Sequence, residues 1–333
     1  MTTTERLFGW RHAFDQPFTG DVTALLVVLL AVAPVILWAL GRSGRVSPEL
    51  AREMWLRYRS WLALVPLLLV PILAGAAFTI VGFGVLGVLC YREYAGAVGL
   101  GRERALNALV VVGIALTTFA ALDNWLRFFL ALFPMIVALI AAAAVLADRP
   151  ADYARRVALV IFGYALCGSA LGHLAFLGND ADYRPLVLLL VVAVELNDIF
   201  AFISGKRFGR RKLAPHTSPG KTVGGAVGAL VLTTLLVYAL GGIAFAGTAL
   251  ARPAHRLALG VLISVGGQLG DLVLSAIKRD AGLKDIGHAI PGHGGLLDRF
   301  DSLLIVAPLY FHYVNYVLWI GADQTQRILT GGG

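Results

Sequence analysis

The sequence predicts an all-α polytopic integral membrane protein with about ten transmembrane helices, nine being the alternative count. Three observations predict it. Of 333 residues, 58% are hydrophobic and 14% charged, whereas a soluble domain carries about a quarter charged residues. Apolar runs of about 20 residues, the length that crosses a bilayer as a helix, recur along the chain. The ~10-residue alternating segments that build a membrane barrel are absent. A net charge of +8 then reads as loop bias and attraction to anionic lipid, with no nucleic-acid partner.

Residues 1–20 mix aromatics with Glu5, Arg6, Arg11, His12 and Asp15. They lack an apolar core, so no cleavable signal peptide is expected. Residues 22–40 form a first span. Residues 41–60 set Arg42, Arg45, Arg52, Arg57 and Arg59 among Trp55 and Tyr58, which predicts an amphipathic helix lying in the interface. Residues 62–91 are apolar but broken near Gly75, as one long span or a hairpin of two. Spans at 105–122 and 126–147 are joined by a turn at Asp123 and Asn124. Spans at 157–177, 186–204, 223–246, 257–277 and 303–320 complete the set. Cys90 and Cys167 fall inside apolar runs and are expected as buried, unpaired side chains.

Loop charge bears on the hairpin. With it, loops 41–60, 92–104, 148–156, 205–222 and 278–301 share one side and collect most of the 28 lysines and arginines. The positive-inside rule therefore favours ten spans, with both termini outside and those loops in the cytoplasm. The chain reads as one membrane domain, 1–333, with N-terminal helices in 1–190 and the chemistry in 191–320.

The chemistry-bearing stretch runs from Ser275 to Asp301. It is dense in ionisable residues and lies between two long apolar runs. On the preceding helix Gln268, Asp271, Ser275 and Lys278 fall within a stripe of roughly 80°. A carboxylate on a membrane-length helix is costly unless it faces protein, water or a cation, so Asp271 is a functional candidate. Asp298 and Asp301 follow at the start of another apolar run, with Arg299 between them. Asp301 also fits a capping residue. Pro291-Gly292-His293-Gly294-Gly295 is a turn whose glycines permit close approach to a ligand. His288 and His293 have no Cys or His partners at zinc spacing, and hard oxygen ligands point to Mg²⁺.

Upstream, Glu195 and Asp198 share one face of an apolar helix, as polar cavity groups or as glue between helices. The basic loop 205–222 contains Arg210, Arg211 and Lys212, and suits a topology anchor as well as a ligand site. Its end, Ser218-Pro219-Gly220-Lys221-Thr222, opens the next helix and offers N–H groups and a lysine to an anion. It lacks the spacing and the preceding strand of a Walker loop.

The pattern S-x-x-K-R-x(4)-K-D-x-G-x(2)-I-P-x-H-G-G-x-x-D-R-x-D at 275–301 resembles the signature of the CDP-diacylglycerol synthase (phosphatidate cytidylyltransferase) family. Q-x-G-D at 268–271, K-L-A-P at 212–215 and S-P-G-K-T at 218–222 resemble its other motifs, in order. Two positions depart from the family pattern. Leu274 stands where an acidic residue usually precedes the signature serine. Ile199 and Phe200 follow Asp198 where small residues are usual.

The resemblance implies transfer of a cytidylyl group from CTP to phosphatidic acid at the cytoplasmic face of a bacterial inner membrane. It implies Asp271 and Asp298 as ligands of Mg²⁺, with room for a second cation. Lys221, Lys278, Arg279 and Arg299 are the implied phosphate clamps, with Lys284 beside them. Ser218, Thr222, Ser275 and the 292–295 backbone would supply neutral donors, and Asp198, Lys212, Gly220, His293, Gly294 and Gly295 would line the substrate site. Membrane lipid is the surrounding partner, and a homodimer is compatible with the sequence. Two other readings remain open. One is a CTP-dependent kinase or cytidylyltransferase acting on a polyprenol or an ether lipid. The other is a transporter, since intramembrane carboxylates also mark ion pathways.

Overall fold

A computed structural model describes residues 3–43, 46–287, 290, 294–323 and 325–331. Almost all of it is helix. A short α1 (Thr3–Phe8) precedes α2 (Pro17–Arg42), α3 (Pro48–Ala74), α4 (Ala76–Ala97), α5 (Arg104–Leu122) and α6 (Leu126–Leu146). Next, α7 (Tyr153–Gly163) continues through a π-helical stretch, Tyr164–Ala170, into α8 (Leu171–Leu177). The C-terminal half holds α9 (Tyr183–Phe208), α10 (Val223–Ala244), α11 (Pro253–Asp280) and α12 (Leu297–Leu318). Among the described residues nine helices are long and apolar enough to cross a membrane, counting Tyr153–Leu177 as one. The chain is a polytopic α-helical membrane protein. In α12, which has 22 residues, the first turns carry Asp298, Arg299 and Asp301.

The break expected near Gly75 is a turn between α3 and α4. Gly75 adopts φ 144°, and a Cβ there would overlap the Leu7 carbonyl. Only glycine fits. The Thr79 hydroxyl donates to the Pro71 and Gly75 carbonyls, at 3.1 and 3.0 Å, and so satisfies the end of α3. The structure corrects one boundary. Residues 48–60 are not a separate interfacial helix; they are the first half of α3, which runs unbroken from Pro48 to Ala74. Ser47 starts it, accepting from the Leu50 amide at 3.2 Å.

The N-terminal segment and the C-terminal tail close the same end of the bundle. Buried Arg6 donates to Asn179 Oδ1 at 2.6 Å, and Asn179 donates to the Ala121 carbonyl at 2.8 Å. Nearby, Asp123 accepts from Thr330 Oγ1 at 2.6 Å. Arg184 spends its guanidinium on the Ile72 and Gly9 carbonyls at 3.2 and 2.9 Å. Both described ends therefore lie on one face. Cys90 and Cys167 are buried and unpaired, as expected.

Candidate active site

The opposite end carries the chemistry. Loop 205–222, expected to be irregular, contains an antiparallel hairpin of β1 (Lys212–Ala214) and β2 (Ser218–Thr222), with Lys212 opposite Thr222 and Ala214 opposite Ser218. Residues 218–222 are therefore a strand leading into α10, not the first turn of the helix. Thr222 is the N-cap, its hydroxyl accepting from the Gly225 amide at 3.1 Å. One helix-end donor is thereby satisfied internally. Arg279 Nε donates to the Thr217 carbonyl at 3.4 Å, which puts this hairpin and the end of α11 on one face, as the loop charges predicted.

The hairpin delivers Lys221 to α11. Its Nζ lies 2.6 Å from Asp271 Oδ2, with the two side chains 20% and 24% exposed. Ser275, one turn on, donates to Asp271 Oδ1 at 3.1 Å. Its hydroxyl thus fixes the carboxylate from behind. Gly270 brings α11 against α12, because a Cβ at that position would lie 2.6 Å from the Asp301 carbonyl. This close approach places the Asp301 carboxylate within electrostatic reach of Asp271 and Asp198. Ser302 links two of them, donating to Asp198 Oδ2 at 3.2 Å and lying 3.4 Å from Asp301 Oδ1. Arg299 lies within electrostatic reach of Glu195 and Asp198, and its buried Nε has no hydrogen-bond partner among the described residues.

An amide node beneath the cluster holds the helices in register. Asn197 Oδ1 accepts from Thr233 at 3.0 Å and Ser264 at 2.6 Å, joining α9, α10 and α11. Gln268 donates to Ser264 Oγ at 3.1 Å and to the Ala226 carbonyl at 3.3 Å. Asp198 is exposed at the edge of α9, next to exposed Ile199 and Phe202. The carboxylate cluster thus borders a face that lipid would cover. Ile199, one of the two departures, belongs to that outward face. Leu274, the other, is fully buried in the core.

Asp298, expected as a metal ligand, is enclosed by protein partners. Its side chain is 1% exposed and 2.9 Å from Lys278 Nζ. Its other oxygen accepts from the Ile286 amide at 2.9 Å and the Gly295 amide at 3.0 Å. Asp298 and Lys278 therefore fasten a loop, and the Gly295 amide is already used. Gly294 adopts φ 82°, and the Ile290 amide donates to its carbonyl at 2.9 Å. Lys212, Gly220 and Lys284 are exposed, Ser218 is half-buried, and exposed Arg279 donates to the Thr217 and Leu283 carbonyls. Arg210 and Arg211 are likewise exposed. His288 and His293, with Pro291 and Gly292, lie outside the described residues.

Among the described residues no group of three His, Cys, Asp or Glu encloses a cation by itself. A partial set of carboxylate oxygens, open on one side, nonetheless fits Mg²⁺. That ion keeps several waters and completes its shell with substrate phosphates. Sequence reasoning missed Ser302 and Glu93. Glu93, from α4, accepts from the Leu296 and Leu297 amides at 3.0 and 2.8 Å. The only sequence signal for it is a carboxylate at the polar end of an apolar run.

A family model described as the cytidylyltransferase family matches residues 55–317. The uncharacterized protein YnbB of Escherichia coli K12 is 33% identical over 299 residues, covering 88% of this chain and 96% of the relative. The phosphatidate cytidylyltransferase of Bacillus subtilis 168 is 46% identical over 122 residues, 36% of this chain and 44% of the relative. That of Haemophilus influenzae is 41% identical over 142 residues, 41% of this chain and 48% of the relative. The match thus spans about half the length of these two enzymes.

Proposed function

The chain belongs to the cytidylyltransferase family, and from that premise we propose that it joins CTP to phosphatidic acid, giving CDP-diacylglycerol and pyrophosphate. The observation that carries this reading is the convergence of Lys221, Asp271, Asp198, Asp301 and Arg299 beside a lipid-facing flank. A soluble polyanion and an embedded one can both reach such a place. The active site faces the cytoplasm of a bacterial inner membrane in this reading, since the loops on that side hold most of the positive charge.

The lipid phosphate oxygen attacks the α-phosphorus of CTP, and the bond from that phosphorus to the bridging oxygen breaks, releasing pyrophosphate. A phosphomonoester has its second pKa near ~6, so the nucleophile is largely dianionic at neutral pH and needs no general base. The obstacle is repulsion between two polyanions, and the remedy is charge neutralisation with in-line positioning. Lys221 and Arg299 are the proposed phosphate clamps, with Arg279 and Lys284 at the rim. Lys278 acts through Asp298 by holding the start of α12, which carries Arg299. Ser275 and Ser302 orient Asp271, Asp198 and Asp301, which would hold Mg²⁺. The ion, when bound, supplies neutralisation of the phosphate oxygens.

The test is pyrophosphate release by the purified protein with phosphatidic acid, Mg²⁺ and each ribonucleotide, beside Asp271→Asn. Release that needs both CTP and lipid, and is lost in the variant, is the expected result. Folded protein that releases nothing overturns the reading. Release of CDP would mark a lipid kinase, and activity only with another lipid phosphate would move the acceptor.

A further inference from the structure

Glu93 lies on α4, in the half of the chain that sequence reading leaves without chemistry. Both of its oxygens are committed to the entrance of α12, Oε1 to the Leu296 amide at 3.0 Å and Oε2 to the Leu297 amide at 2.8 Å. These are orphan donors at a helix start, where a carboxylate also meets the positive end of the helix dipole. Among the described residues Glu93 forms no ion pair, so the helix end is its counter-charge. Two signature glycines make the approach possible. A Cβ on Gly287 would stand 2.8 Å from Glu93 Oε1, and one on Gly295 would stand 2.6 Å from Oε2.

Asp298 holds the same turn from the other side, through the Ile286 and Gly295 amides. Amides 295, 296 and 297 are thus bonded in sequence by two carboxylates, one local and one about 200 residues away. Arg299 follows two residues later, and its Nε has no hydrogen-bond partner among the described residues. Its direction, and that of Asp301, is inherited from the helix start that Glu93 fixes.

We propose that Glu93 is a positioning residue, a carboxylate strut from the N-terminal helices that seats residues 295–297 at the start of α12 and thereby aims Arg299 and Asp301 at the reacting phosphates. The strut stands on geometry alone; its effect on turnover rests on the cytidylyltransferase reading. Any phosphate reaching this helix would find the 296 and 297 amides already occupied. The proposed clamp therefore depends on side chains rather than on this helix terminus.

The test compares Glu93→Gln and Glu93→Asp with Glu103→Gln in the full-length protein in detergent. Glu103 pairs with Arg149 and Arg156, at 3.3 and 3.4 Å, on other loops of the same face. Glutamine keeps one acceptor but turns an NH₂ toward the second amide. Hydrogen exchange at Leu296 and Leu297 should accelerate roughly tenfold, the scale of losing one helix cap, with α10 unchanged. The kcat should fall by a similar factor while the KM for CTP stays within about threefold, because aim is expressed at the transition state. Aspartate should restore part of both, and Glu103→Gln should alter neither.

Unchanged exchange at 296–297 in Glu93→Gln overturns the strut. Accelerated exchange with wild-type kcat overturns its role in aiming Arg299. If the wild-type protein fails to turn over CTP and phosphatidic acid, the exchange arm still decides the strut, and the failure belongs to the proposed reaction. Should Glu93→Gln not yield folded protein, Gly287→Ala presses on the same carboxylate and must show the same exchange signature.

Discussion

Asp298 and Asp271 each sit beside a lysine, yet the two pairs occupy opposite kinds of surroundings. Asp298 is 1% exposed and makes bonds to Lys278, Ile286 and Gly295. Asp271 is 24% exposed and shares its neighbourhood with Asp198 and Asp301. One carboxylate has its charge fully spent inside the fold. The other stands in an excess of negative charge, which a folded protein tolerates where a cation or a cationic ligand arrives. Sequence spacing treats these aspartates alike; burial separates them, one closed in by the fold and the other open on one side.

The largest expected effect tests the fastening. Asp298→Ala strands the Lys278 ammonium and two buried amides, and breaking one partner of a buried pair costs about 3–5 kcal/mol. Thermal unfolding in detergent should record it, and adding Lys278→Met should recover part of the loss. The next effect tests the binding group. Asp271→Asn should lower turnover by about 10²–10³-fold, the scale of removing one electrostatic contact to the transition state. Its stability should change by less than about 1 kcal/mol, because the pair with Lys221 is partly solvated. Were the two variants to exchange phenotypes, with Asp271→Asn unfolding and Asp298→Ala inactive but stable, the comparison would be reversed.

A third variant joins the regions. Gly270→Ala places a Cβ 2.6 Å from the Asp301 carbonyl, and such overpacking costs about 1–3 kcal/mol. Because α11 must move away from α12, activity should fall along with stability. Equal stability with full activity would mean that the two helices need not touch for the carboxylates to cooperate.

Much of this was legible in the residues. Runs of apolar side chains located the helices, Gly75 marked its own turn, and the spacing of Gln268, Asp271, Ser275 and Lys278 placed one polar stripe on α11. Loop charge placed the hairpin and the signature loop on one face. The rest depended on partners that spacing does not reveal. Pro215, Pro219 and the basic side chains of 205–222 disguise a hairpin as a loop. The helix of α3 runs through Pro66 and Pro71, so its polar first half looked like a separate element. Asp298 carries no local sign that its acceptors are filled by Ile286 and Gly295. Glu93 is separated by about 200 residues from the amides it holds, and no periodicity connects positions so far apart.

The smallest expected effect is also the most discriminating for the open cluster. Ser302 is 3% exposed and has one proton to share between Asp198, at 3.2 Å, and Asp301, at 3.4 Å. Both contacts are long, so removing the hydroxyl should cost only about 1 kcal/mol, or roughly fivefold in an equilibrium. Ser302→Ala strands no donor; it leaves two acceptors slightly less ordered on the side that faces the ligand. The Mg²⁺ concentration for half-maximal activity should therefore rise about fivefold while the unfolding midpoint stays near that of the parent. A fall in stability with an unmoved Mg²⁺ requirement would make the hydroxyl a structural tie like Lys278. The carboxylates it joins would then be a second fastening, and the cation would have to be held elsewhere.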